Sequence, residues 1–120
     1  MNAALRMSVP MEVGICCADL DAQLAFYTEM VGLALVNRVS VPADKARATG
    51  LTQHGYDVAR LQTSYGERIK LLQPAVAPEP AVRGAAILDR QGNAYLTFIV
   101  QDPAGTVERL RARGVVFDSD

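Results

Sequence analysis

Met11-Glu12-Val13-Gly14-Ile15-Cys16-Cys17-Ala18-Asp19 decides how this chain is read, because its pattern returns. A short apolar run closes on Asp19. A helix-like stretch carrying Leu24 and Tyr27 follows and ends at Gly32. Eighty-three residues after Asp19, the run Ala94-Tyr95-Leu96-Thr97-Phe98-Ile99-Val100-Gln101 closes on Asp102. Val107 and Leu110 then stand where Leu24 and Tyr27 stood, and Gly114 ends the stretch one residue out of register. A strand–Asp–helix–Gly unit stated twice predicts a duplicated module whose copies pack around pseudo-symmetry.

Within the first unit, Val13, Ile15 and Cys17 alternate with Glu12, Gly14 and Cys16, the period of a strand with two different faces. Asp19 or Asp21 supplies a carboxylate to cap the next helix. Leu20, Leu24, Tyr27 and Val31 fall on one helical stripe, and Gly32 provides a left-handed C-cap. Leu33 to Val41 reads as a second strand, and residues 43–48 as a helical turn ended by Gly50. Tyr56 to Thr63 alternates again. Ser64-Tyr65-Gly66-Glu67 is a hairpin turn, and Arg68 to Gln73 the returning strand. Pro74, Pro78 and Pro80 mark a stiff linker that cannot continue a sheet.

The second unit starts near Asn93, with Asp102 at the cap and Pro103 in the first helical turn. The reading is one α+β domain over 1–120: a βαβββ module at 10–74, a linker at 75–92, and the start of a second, incomplete module at 93–120. Val115-Val116-Phe117 begins a strand that does not finish. An unfinished sheet exposes an open backbone edge. The chain is therefore expected to be part of a longer protein, the favoured reading, or to have its edge covered by another chain.

Half of the 120 residues are hydrophobic, enough for one ordinary core. With 12 basic and 13 acidic residues the net charge is −1, and no basic patch invites nucleic acid. No run reaches membrane-spanning length. The two cysteines, Cys16 and Cys17, are adjacent in a strand and point to opposite faces, which disfavours a mutual disulfide. A reducing cytoplasm is the expected compartment. No nucleophile motif, phosphate loop or zinc pattern is present.

Glu12-Val13-Gly14-Ile15, Asp19-Leu20-Asp21, Phe26-Tyr27 and Gly32-Leu33 resemble the opening of the vicinal oxygen chelate superfamily, the glyoxalase, bleomycin-resistance and extradiol-dioxygenase group. Ile69-Lys70-Leu71-Leu72-Gln73-Pro74 resembles its fourth strand, and Tyr95 to Asp102 the start of its second module. The resemblance spans nearly the whole chain. It implies paired βαβββ modules whose curved sheets enclose a cleft, and a homodimer. It also implies a divalent metal in that cleft, yet the usual ligand positions carry Glu12, Lys70 and Tyr95, and a fourth would lie beyond Asp120. Only Glu12 is a ready donor. No metal and no other cofactor is therefore expected. The sole histidine, His54, lies away from these positions and reads as a surface imidazole.

Strand parity sends Val13, Ile15, Ile69, Leu71, Leu96, Phe98 and Val100 toward helices. It leaves Glu12, Arg68, Lys70, Tyr95 and Thr97 on the opposite face as candidate ligand-binding residues. Among them Glu12, Lys70 and Tyr95 are candidates for general acid–base chemistry or for holding an anionic ligand. Asn37, Arg38, Arg60 and Gln62 are possible additions. The bland alternative is an exposed face with an ordinary Glu12–Lys70 ion pair, worth little energetically. Three functions stay open: a metal-free lyase- or isomerase-like enzyme on a small organic molecule, a non-catalytic binding protein of the antibiotic-sequestering kind, and a divergent metal-dependent glyoxalase or dioxygenase.

Overall fold

The computed structural model describes residues 4–82, 84 and 86–118 of the 120-residue chain. In order, the elements are β1 (Glu12–Cys16), α1 (Leu20–Ala25) running into a π-helical turn (Phe26–Val31), β2 (Ala34–Val41), α2 (Ala43–Thr49), β3 (Tyr56–Gln62), β4 (Arg68–Pro74), a 3-10 turn (Ile87–Asp89) and α3 (Pro103–Ala112). Two compact units result, Met1–Glu79 and Pro80–Asp120.

The first unit is an α+β module built on one four-stranded sheet of order β1-β4-β3-β2. β1 runs parallel to β4, and the other two pairings are antiparallel. The strand–helix–strand–strand–strand order is as the sequence predicts. The turn expected before β3 is longer than read, a seven-residue helix stopped by Gly50 at φ 76°.

One face of the sheet makes the core. Leu20 of α1, Leu61 of β3 and Leu71 of β4 are fully buried with Cys17, Leu33, Ala59 and Ile69, and Ile15, Leu24, Tyr27 and Val31 pack against them. The helical stripe read from the sequence is thus the face α1 presents to the sheet. Each such leucine is worth about 1.5–3 kcal/mol of burial, so a slip of one residue in any strand is strongly disfavoured. The start of α1 is fixed twice. Asp19 Oδ1 accepts from the Ala22 amide at 3.1 Å, and Gln73 Oε1 on β4 accepts from the Leu20 amide at 2.7 Å. Gly32 ends the π-helical turn at φ 87°, a conformation that strains side-chain-bearing residues. The β3–β4 hairpin turns at Gly66, φ 106°.

The second unit repeats the cap in detail. Asp102 Oδ1 accepts from the Gly105 amide at 3.1 Å, three residues on, as Asp19 does. Gly114 follows α3 at φ 90°. The rest of the repeat departs from expectation. Ala94–Gln101 and Val115–Phe117, read as strands, pair with no other strand among the described residues. A strand is defined by its ladder, and local pattern alone cannot supply one. The pattern itself survives: Leu96, Phe98 and Val100 are 36–43% exposed, whereas Tyr95 and Ile99 are 65% and 94% exposed. The second curved sheet that the resemblance implies is absent from the described residues. No helix among them is long and apolar enough to cross a membrane.

Burial raises the Cys17 thiol above its ordinary pKa, with Cys16 and Asp19 adding to the effect, and burial raises the Tyr27 phenol likewise. A raised pKa means that the folded chain holds the proton longer than the unfolded chain. The stability this contributes is whole below the ordinary thiol value and is lost as pH rises through the folded one. Urea unfolding midpoints should therefore fall on the alkaline side of that value. Cys17→Ala should flatten the fall, and an unchanged alkaline slope in that variant would exclude the thiol as its source.

Candidate functional site

The face of the sheet opposite α1 carries the candidate residues, and the ladder sets them in rows. Glu12, Arg68 and Gln62 are in register across β1, β4 and β3. Gly14, Lys70, Arg60 and Asn37 form the next row across all four strands. Cys16, Leu72, Val58 and Val39 form a third, mostly apolar row, in which Val58 is fully buried.

Asn37 reaches this face because of an irregularity. Leu35 pairs with Leu61 but Asn37 pairs with Arg60, so Val36 is an extra residue in β2. A bulge of this kind shifts the parity of the later residues of its strand. Arg60 Nη1 then donates to Asn37 Oδ1 at 3.2 Å. The next residue, Arg38, falls on the helix face and pairs with Asp21 of α1 at 2.6 Å. Of the four secondary candidates, Asn37, Arg60 and Gln62 join the site and Arg38 does not.

Glu12 and Lys70 share the face, as parity predicts, but they do not pair. The register sets Glu12 beside Arg68 and sets Lys70 one row further on, beside Gly14. The Glu12 carboxylate instead lies 3.4 Å from Arg60 Nε, across the intervening strand β4. This is an ion pair without the alignment of a hydrogen bond, and Glu12 Oε2 is buried. Both side chains are about three-quarters covered, with Glu12 at 23% and Arg60 at 30% exposure. Lys70 leans toward β1: a Cβ added at Gly14 would lie 4.0 Å from Lys70 Cε and 3.3 Å from Leu72 Cδ1. The role of Gly14, leaving room for the Leu72 methyl and the lysine stem, has no signature in the sequence except its parity with Glu12.

The electrostatics follow from the count. One carboxylate, Glu12, shares the two polar rows with Arg60, Arg68 and Lys70, all half-buried. Arg60 and Lys70 are direct cross-strand partners, and such like-charge neighbours cost roughly 0.2–1 kcal/mol. The Glu12–Arg60 pair returns about as much. Arg68 Nε is buried and has no hydrogen-bond partner among the described residues. Whichever cation Glu12 faces, the rows keep two unbalanced positive charges.

This donor set does not fit the metal centre that the resemblance implies. An ammonium at Lys70 repels a divalent ion, as do the two guanidinium groups. Among the described residues no group of three His, Cys, Asp or Glu side chains converges. His54 is exposed in the segment before β3. Tyr95 and Thr97 belong to the second unit, where both are exposed.

Comparison with known proteins gives one family. Residues 11–120 match the Glyoxalase/Bleomycin resistance protein/Dioxygenase superfamily. A crystal structure of a glyoxalase family protein from Bacillus cereus is similar, with 28% identity and a TM-score of 0.74 over 95% of this chain and 77% of that one. No functionally curated protein matches.

The charge count predicts the stability of variants. Glu12→Gln should lower the unfolding free energy by about 1 kcal/mol, more at low salt than at high salt. Lys70→Gln should leave it unchanged or raise it. Urea titrations at two ionic strengths check both. A larger loss in the lysine variant would mean that Glu12 is held by Lys70 after all.

Proposed function

The chain belongs to the Glyoxalase/Bleomycin resistance protein/Dioxygenase superfamily, and on that premise we propose that it binds and acts on a small organic molecule over the open face of its sheet, without a metal ion. One observation carries the reading: the fourth-strand position to which the resemblance assigns a metal ligand is Lys70, and the single carboxylate in the two polar rows, Glu12, already faces Arg60. The chemistry such a face supports is acid–base chemistry of the lyase or isomerase kind. Glu12, once released from Arg60, accepts a proton from the ligand, and Lys70 offers one to the developing charge. Arg60 is the positioning group, clamped between Glu12 on β1 and Asn37 on β2.

The same ion pair favours a second reading. A carboxylate that stays engaged by a guanidinium is not free to reach a ligand proton, so a face that keeps the Glu12–Arg60 pair with ligand bound would sequester its ligand without changing it. A thermal-shift screen of small organic compounds, with each hit followed for turnover by mass spectrometry, separates the two. Hits should survive excess EDTA. For an enzyme, Glu12→Gln should lower turnover by about 10²-fold or more with affinity little changed. Binding without turnover would select the sequestering function. Activity that EDTA abolishes and a divalent metal restores would overturn the metal-free reading.

A further inference from the structure

The open face divides into two chemically different halves. Two rows hold Arg60, Arg68 and Lys70 against one carboxylate, and the adjoining row is Cys16, Leu72, Val58 and Val39. Neither Arg68 nor Lys70 has an ion pair or side-chain hydrogen bond among the described residues, and Arg68 Nε is buried as well. A buried guanidinium donor without a partner costs about 1–3 kcal/mol or more, and native proteins rarely leave one so. Exchanging its partner inside the protein does not resolve this, because Glu12 is the only carboxylate in these rows. No acceptor for these two cations is present among the described residues, and a negative group would both satisfy the guanidinium and offset the excess charge.

The adjoining row says what accompanies the charge. Successive rows are two residues apart along a strand, roughly 7 Å. Lys70 and half-buried Leu72 are therefore about one small ring apart. Gly14 leaves the space over β1 to the Leu72 methyl and the Lys70 stem. We infer that the ligand of this face is a small amphiphilic organic anion. Its carboxylate, phosphonate or phosphate group lies between Arg68 and Lys70, and its apolar body lies toward Leu72. The inference rests on the proposed small-molecule site and names the class of compound that site takes.

Three probes test it: phenylphosphonate, neutral benzamide of similar size, and inorganic phosphate. Affinity is measured by calorimetry and the contact by the Nε–H resonance of Arg68 in nitrogen-15 spectra, assigned by its loss in Arg68→Gln. Phenylphosphonate should shift that resonance and bind at least about tenfold more tightly than either other probe, as expected for one charge-assisted hydrogen bond. Arg68→Gln and Lys70→Gln should each weaken it about tenfold. Lys45→Gln, which removes an exposed charge on α2, should leave it unchanged. The backbone spectra of the variants report whether each is folded, and the wild-type resonance stands as evidence even if one is not. Benzamide binding as tightly as phenylphosphonate at this resonance would overturn the anionic class while leaving the small-molecule site intact. Phosphate binding as tightly as phenylphosphonate would overturn the apolar body. Equal weakening by Lys45→Gln would reduce the effect to net charge and overturn the site. No shift with any probe at millimolar concentration would overturn the inference and count against the small-molecule face itself.

Discussion

The burial of Leu20 between Leu61 and Leu71 is the constraint on which the other features rest. These three side chains lie on α1, β3 and β4, so their contact fixes one helix and two central strands at once. Because side chains alternate along a strand, choosing the inner face of β3 and β4 also chooses the outer one. Arg60, Arg68 and Lys70 point away from α1 because Leu61, Ile69 and Leu71 point toward it. The parallel ladder to β4 extends the choice to β1, and Glu12 goes with it. The charged face was not assembled for its own stability. It is the side of the sheet that the core leaves over.

That origin explains why the face is electrostatically poor for the protein alone. Cross-strand pairing places Arg60 directly opposite Lys70, a juxtaposition that a sheet under selection for stability alone would avoid. The Glu12–Arg60 contact offsets roughly one such repulsion and no more. The remaining charge is tolerated because each of these side chains keeps some solvent contact. Proteins accept local conflicts of this kind chiefly where a ligand resolves them.

The first module was legible in the sequence because its signals are local and agree with each other. Asp19 caps, the Leu20–Leu24–Tyr27–Val31 stripe packs, Gly32 stops, and strand parity completes the pattern. Two kinds of fact were not legible. The partner of Glu12 depends on the offset between β1 and β4, and that offset sets Arg68 rather than Lys70 beside it; alternation says which face a residue takes, not which row. The bulge at Val36 is likewise silent, since Leu33 to Val41 reads as an unbroken strand, yet it decides that Asn37 and not Arg38 meets Arg60. The second unit shows the limit from the other side. Its cap repeats the first to the same distance, because capping reaches only three residues along the chain. Its strand pattern repeats too, without a ladder among the described residues, because pairing needs a partner that no local pattern can specify.

The separation of the two faces also explains how one fold can hold sites of opposite sign. No residue of the Glu12–Arg68–Gln62 row or of the Gly14–Lys70–Arg60–Asn37 row belongs to the buried cluster around Leu20. The cluster around Leu20 lies on the α1 face, so the charge of these rows can change without unpacking the helix. A carboxylate at residue 70 beside Glu12 would give this face the makings of a cation site. A lysine there, with two arginines in the same rows, reverses the local field, while Ile69 and Leu71 on either side keep the strand seated as before. The fold of the superfamily thus supplies the sheet face, and the residues in two rows set the charge of any ligand it takes.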